Sequence, residues 1–227
     1  MLVLLPPSAG KTAPPSGPPV DFSALAYPQL TKLRRSLVAA ADRRLRTASA
    51  APAAEVYTGV LYGQLGLPDL DRAAWDRVLI ASALWGVVRP ADRIPAYTFD
   101  MGVKLPRIGG LAAFWRPALA RALPDAGLVL DLRSGSYAAA WRPRAATVVG
   151  VRGFTERPDG SRTAITHMAK RVRGDVARLV LQAGGDPSTP QDLGDIARAG
   201  GLRVELAADG STLDVIEPAG TVRFERR

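Results

Sequence analysis

Ile80-Ala81-Ser82-Ala83-Leu84-Trp85-Gly86-Val87-Val88 runs directly into Arg89-Pro90-Ala91-Asp92-Arg93. The first part is apolar enough to be buried, and the second reverses that character at once. Proline fixes its own φ, lacks an amide donor and pushes the residue before it towards an extended conformation, so no helix passes through Arg89-Pro90. The junction reads as a buried element ending in a fixed turn that holds Arg89, Asp92 and Arg93 at the lip of a recess. A second apolar stretch, with Pro95, Tyr97, Met101 and Lys104, follows it.

Outward from this segment the chain alternates short strands with helices. Met1 to Leu5 is apolar, has no basic residue before it and is followed by prolines, the pattern of a buried first strand and not of a secretion signal. Leu128 to Leu132 is β-compatible and ends in Arg133-Ser134-Gly135-Ser136-Tyr137, a polar glycine-containing turn of the kind that places ligand groups beyond the carboxyl end of a sheet. Thr147–Phe154 and Thr163–Met168 read as a hairpin around Pro158-Asp159-Gly160. Leu202–Ala207 and Thr212–Ile216 read as another around Asp209-Gly210, with Val222–Arg227 as a last strand.

Pro28 to Thr47 has helical spacing: Leu30, Leu33, Leu37, Ala41 and Leu45 form one stripe, with Lys32, Arg35, Arg43 and Arg46 opposite. Further helices are expected from Leu70 to Trp75, from Phe114 to about Leu123 with Pro117 in the first turn, and from Thr189-Pro190 to Gly200-Gly201. In the helix after Met168, Val172, Val176 and Leu179 face one way, while Lys170, Arg171, Gly174 and Arg178 share a flank suited to a phosphate backbone. This order is not the strict alternation of a doubly wound sheet. It predicts a single mixed α/β (α+β) domain over residues 1–227, with a central mostly antiparallel or mixed sheet flanked by helices.

Composition narrows the function. The chain has 227 residues, 47% of them hydrophobic, ample for a core. It lacks an apolar run near the ~18 residues of a membrane span. Zero cysteines exclude disulfides and thiolate metal sites and fit a reducing cytoplasm. His167 is the lone histidine, at a strand-to-helix junction, and reads as structural. Asp69 and Asp71 read as a turn, and no carboxylates cluster, so neither a metal nor a cofactor is expected. The net charge of +9 points to a polyanionic partner or a phosphate-bearing ligand, unless it merely reflects an arginine- and alanine-rich composition.

Gly10-Lys11-Thr12 after a strand invites a phosphate-loop reading, which fails. Leu5 stands where that loop needs glycine, and Pro14, Pro15, Pro18 and Pro19 forbid the helix that must start at the lysine. What survives is a tight turn presenting Ser8, Lys11 and Thr12 to a phosphate. In Val56-Tyr57-Thr58-Gly59-Val60-Leu61-Tyr62, Gly59 permits a turn or close approach, and Tyr57 either stacks on a base or fills the core.

Five segments together resemble the YaaA family of bacterial peroxide-stress-resistance proteins, long described only as a domain of unknown function. They are Leu4 to Thr12, Val56 to Tyr62, Leu84 to Leu105 (through Arg89-Pro90 and Met101-Gly102-Val103-Lys104), Leu130 to Tyr137, and Met168 to Gly174. They come in the family's order and span most of the chain. The resemblance implies the family's own compact fold, binding of duplex or branched DNA, and a role in limiting oxidative damage. Longer YaaA-like proteins carry helical sequence resembling a helix-hairpin-helix before the Tyr-Thr-Gly motif. Here the interval from Arg46 to Glu55 has no glycine and no room for two helices.

Two functional readings follow, beside a third in which the chain is a structural or assembly protein whose charge is compositional. In the first, a monomer binds double-stranded or branched DNA through a basic cleft without base readout, using Lys11, Arg89, Lys104, Arg133, Lys170, Arg171 and Arg173, with Ser8, Thr12, Ser134 and Tyr137 as neutral donors. In the second, the chain is an enzyme on a small phosphorylated or nucleotide-like substrate in a strand-end pocket, to which Tyr57, Thr58 and Asp92 also contribute. Both require Lys11, Arg89 and Lys170 to converge in one positively charged recess.

Overall fold

The computed structural model describes residues 1–165 and 169–220. Its elements are β1 (Leu2–Leu5), α1 (Thr31–Ala41), β2 (Ala51–Pro52), α2 (Ala53–Val56), α3 (Val60–Leu65), α4 (Arg72–Asp76), β3 (Val78–Ser82), β4 (Gly86–Val88), β5 (Arg93–Ile94), β6 (Lys104–Leu105), β7 (Gly109–Gly110), α5 (Leu111–Ala122), β8 (Leu128–Asp131), α6 (Gly135–Ala138), β9 (Thr147–Glu156), β10 (Arg162–Ala164), α7 (Ala169–Gln182), α8 (Pro190–Ala199), β11 (Val204–Leu206) and β12 (Thr212–Pro218).

The central sheet is mixed and flanked by helices, with the order β11-β12-β9-β8-β1-β3-β4. Its middle is parallel: β1 pairs with β3 and with β8, β8 with β9, and β9 with β12. Only the edge strands β4 and β11 run antiparallel to their neighbours on this path. Strand β10 pairs with the far end of β9, past the residues that β8 occupies. Of the two sheet types that the sequence allows, the mixed one forms, with parallel pairing at its centre.

That centre follows from burial. Val3, Leu4 and Leu5 are all but inaccessible, as are all five residues of β3 and Leu128 to Leu130 of β8. Parallel strands covered on both faces read as continuous apolar runs without alternation. From β1 the chain goes to β3 on one side and later crosses to β8 on the other, so the strand order reverses between β1 and β8. Such a reversal opens a crevice beyond the carboxyl ends of the two strands.

The 80–93 segment is a hairpin: Ile80 lies opposite Val88 and Ser82 opposite Gly86. Arg34 of α1 is fully buried against it. Its guanidinium donates to the carbonyls of Trp85 (3.0 Å), Val87 (2.8 Å) and Ala26 (2.8 Å). Burial pulls its pKa down to about 10, against the opposing pull of Asp92. The Asp92 carboxylate accepts the amides of Ala26 and Arg89, both at 2.9 Å.

Three expected helices take a different form. The 28–47 segment is not one helix: Asp42 is extended, and its carboxylate accepts the Arg44 amide (3.0 Å) to start a separate 3-10 turn, Arg43–Arg46. Helix α5 starts at Leu111, which leaves Pro117 in its interior. Burial of Leu111 and Trp115, and donation from Trp115 Nε1 to the Ala83 carbonyl (2.8 Å), outweigh the proline's cost there. The supposed phosphate-facing flank of α7 is instead packed, except at the exposed Lys170. Arg171 is buried and ion-paired with Glu217 and Asp175, Arg178 donates to the Leu65 carbonyl (2.9 Å), and Gly174 lies against α3. The readings of Thr166, His167, Met168 and the strand Val222–Arg227 concern positions outside the described residues. Among those described, no helix is long and apolar enough to cross a membrane.

A Cβ at Gly174 would stand 2.5 Å from the Leu61 carbonyl oxygen and 2.7 Å from Gln64 Cβ, whereas one at Gly63 would meet nothing within 4 Å. Gly174→Ala is therefore expected to lower unfolding stability by about 1–3 kcal/mol through overpacking. Gly63→Ala, in the exposed interior of α3, is expected to raise it by up to ~1 kcal/mol. Urea denaturation of the two variants checks both signs.

Candidate functional site

At the carboxyl ends of β1 and β8 lies a cleft of about 510 Å³. One wall is built from two loops zipped together. Lys11 and Tyr57 form an antiparallel bridge, the Thr12 amide donates to the Val56 carbonyl (2.9 Å), and the Thr58 amide donates to Ser8 Oγ (3.0 Å). Gly59, at φ 104°, turns the chain from this bridge into α3. Tyr62 then reaches back from α3 to donate its hydroxyl to the Pro6 carbonyl (2.7 Å).

The other wall has three sources: Thr98, Phe99 and Asp100; Ser134 and Tyr137 around α6; and Lys170 and Arg173 on α7. Helix α7 reaches the cleft because Gly174 lets its backbone close onto α3.

Among the described residues, three cations line this space: Lys11, Lys170 and Arg173. Lys11 donates to the Ser8 carbonyl (2.9 Å), and its ammonium lies 4.3 Å from the Tyr97 ring centroid and 5.8 Å from that of Tyr57. Burial lowers its pKa, with Asp100 opposing. Arg173 is likewise lowered by burial, with Asp131 opposing. Lys170 is exposed and has no hydrogen-bonded or ion-paired partner among the described residues. Burial pushes the Tyr137 phenol up to about 12, against a hydrogen bond with the Met101 backbone.

Beneath Lys11 runs a buried chain of hydroxyls. The Trp85 amide donates to Ser82 Oγ (3.0 Å), Ser82 Oγ meets the Tyr97 hydroxyl (2.7 Å), and the Tyr97 hydroxyl meets that of Tyr57 (3.0 Å). Desolvation raises the pKa of both tyrosines well above the ordinary value, so they stay neutral donors and acceptors.

Of the residues singled out from sequence, Ser8, Lys11, Thr58, Ser134, Tyr137, Lys170 and Arg173 meet at this cleft. Tyr57 lies under its floor, fully buried. Thr12 and Lys104 are exposed and are not among the residues lining it. Arg133 folds back onto Asp131 in a two-pronged ion pair (2.9 and 2.8 Å) with its side chain only 4% exposed, and Arg171 is committed to Glu217.

Arg89 and Asp92 do not converge with Lys11. Strand β4 runs back along β3, so Arg89 emerges at the opposite end of the sheet, where it donates to the Asp76 carbonyl (2.7 Å) and packs on Tyr27. Sequence reading missed Asp100, Thr98, Tyr62 and Tyr97 as parts of the site. Asp100, between Phe99 and Met101, had a signal: a carboxylate in an otherwise apolar stretch. Among the described residues, no group of three or more His, Cys, Asp or Glu side chains is placed to hold a metal ion.

A sequence model described as "Peroxide stress protein YaaA" matches residues 19–207, a span that includes four of the five segments noted above and most of the residues around the cleft. This chain belongs to the YaaA family. Similar members include the UPF0246 protein of Streptomyces coelicolor, 39% identical over 92% of this chain and 93% of its own length. Those of Corynebacterium glutamicum and Corynebacterium efficiens are 36% and 35% identical, over 90% and 91% of this chain and 95% of theirs. Between Arg46 and Tyr57 this YaaA-family chain has only the two-residue β2 and the four-residue α2, so no helical hairpin precedes Tyr57-Thr58-Gly59.

Removing the Tyr97 hydroxyl would take from the buried Tyr57 and Ser82 hydroxyls the partner that they share, at 3.0 and 2.7 Å. An orphaned buried polar group costs about 1–3 kcal/mol. Tyr97→Phe should lower unfolding stability by that amount in urea denaturation, and a variant as stable as the parent would remove the hydroxyl chain from the account of the site.

Proposed function

We propose that this YaaA-family chain serves in peroxide stress by binding a phosphate-bearing, nucleotide-sized ligand in the cleft between β1 and β8. The observation that carries the reading is the meeting of Lys11, Lys170 and Arg173 with Ser8, Thr58 and Ser134 around one recess, while other arginines of the same motifs are spent on internal partners. The volume of about 510 Å³ falls among small-molecule sites, which run roughly 300–1,000 Å³. Phosphate oxygens take hydrogen bonds from ammonium, guanidinium and hydroxyl donors alike. Phe99 and Leu61 give the remainder of such a ligand apolar surface.

A second reading is supported by the net charge of +9 and by the exposed Lys32, Arg35, Arg43 and Arg46 along α1 and the turn after it. It is binding of duplex or branched DNA through phosphate contacts alone, with affinity that falls steeply as salt rises. A cleft of about 510 Å³ has the size of a small-molecule site, so in this reading it takes a single unpaired or terminal nucleotide.

Calorimetric titration with nucleoside monophosphates and with inorganic phosphate tests the first reading. The Lys170→Ala, Arg173→Ala double variant should weaken binding by about tenfold or more, as expected for loss of ~1.4 kcal/mol or more of charge-assisted contact. Unchanged binding in that variant would overturn it. Mobility shift of branched and linear duplexes at low salt, lost when Arg43 and Arg46 are replaced by alanine, is the outcome that favours the second.

A further inference from the structure

Arginine is the default cation of this chain: among its 30 basic residues, 26 are arginine and four are lysine, at positions 11, 32, 104 and 170. Two of the four, Lys11 and Lys170, line the same cleft. For holding an anion, arginine is the equal or better of lysine, since its planar fork grips two oxygens at once. Lysine is required where the nitrogen must lose its proton and act as a nucleophile, which a guanidinium does not do.

The surroundings of the two amines differ. Lys170 stands exposed beside Arg173 and Ser134, suited to hold a phosphate as a point charge. Lys11 is half-buried between the ring of Tyr97 and the Ser8 carbonyl, its hydrogen-bond acceptor among the described residues, and it makes no ion pair within 4.0 Å. Burial favours the neutral amine. Asp100, on the same cleft, is near enough for its charge to act on the Lys11 ammonium.

We propose that Lys11 is an imine-forming nucleophile, and that the ligand of this cleft is a phosphorylated aldehyde or ketone, such as an open-chain sugar phosphate. The proposal rests on the phosphate-binding reading above and adds the reacting group at the ligand's other end. Lys170, Arg173 and Ser134 hold the phosphate, and the carbonyl carbon meets Lys11 Nζ. The ammonium gives one proton, by way of a water, to the Asp100 carboxylate, and the nitrogen lone pair forms the C–N bond as the carbonyl π pair moves to oxygen. A second proton passes from nitrogen to that oxygen, and Asp100 returns the first to it. The C–O bond then breaks, water leaves and a protonated imine remains. One ammonium and one carbonyl become one iminium and one water, with no change of charge and no oxidant or reductant.

The test is reductive trapping of the full-length chain with ribose 5-phosphate and sodium cyanoborohydride, read by intact mass and by peptide mapping of all four lysines. Lys11 should take up a single adduct with about a tenfold preference over the exposed Lys32 and Lys104, a preference worth ~1.4 kcal/mol. Unphosphorylated ribose should label Lys11 less, and Lys11→Arg, checked for unchanged thermal unfolding, should lose the adduct. Equal labelling of the lysines, or an unlabelled Lys11, overturns the proposal. Calorimetry with ribose 5-phosphate separates the two levels. Binding without an adduct removes the imine and leaves the phosphate site standing, whereas no binding of ribose 5-phosphate, nucleoside monophosphates or inorganic phosphate removes both.

Discussion

Leu2 to Leu5 is hydrogen-bonded in parallel on both sides, to β3 and to β8, with Val3 and Leu5 wholly buried. A strand with no free edge and no exposed face must leave the sheet at its end. The prolines at 6 and 7 ensure that it does so without continuing as strand or helix. Because the chain goes from β1 to β3 on one side and to β8 on the other, the connections diverge just where β1 stops. The crevice is thus a consequence of the pairing order, and the loops after β1 and β8 are bound to line it.

The same sheet explains why charge did not gather as its sequence pattern suggested. An antiparallel β4 returns the chain to the end of the sheet opposite the cleft, and Arg89 goes with it. There Arg34 and Asp92 solve a structural problem. The hairpin's Trp85 and Val87 carbonyls are buried and the Ala26 backbone is half-buried, and a guanidinium with a carboxylate satisfies them. Removing the guanidinium would leave the buried Trp85 and Val87 carbonyls without it, and an unsatisfied buried polar group costs about 1–3 kcal/mol. These groups belong to the architecture.

Arginine in this chain thus does two kinds of work that its sequence context does not separate. Arg133 and Arg171 stand in motifs that resemble the family's, and both are consumed by neighbouring carboxylates. Arg173, two residues from Arg171, lines the cleft instead, because a step of two along a helix turns a side chain to another face. The net charge of +9 therefore does not measure the charge that any single anionic ligand meets. The cleft's own cations are few, and one of them, Lys11, is already partly dehydrated.

Local rules fixed much of this protein. The buried first strand, the strand ending at Asp131, the hairpin around Asp159-Gly160 and the capping box at Thr189 were all legible, because each depends on apolar runs, turn residues and caps within a few positions. So was the meeting of Ser8, Lys11 and Ser134, since polar residues just past the ends of neighbouring buried strands share one edge of a sheet, where Lys170 joins them from α7. What only the tertiary structure decided was which strand runs which way and what each helix face meets. Strand direction sent Arg89 away, and the absent side chain of Gly174 turned a supposedly basic flank into a packing surface. Asp100 and the tyrosine hydroxyls reached the site through contacts between residues distant in the chain. A sequence records which side chains exist; pairing direction and interhelical distance are settled only when the whole core closes.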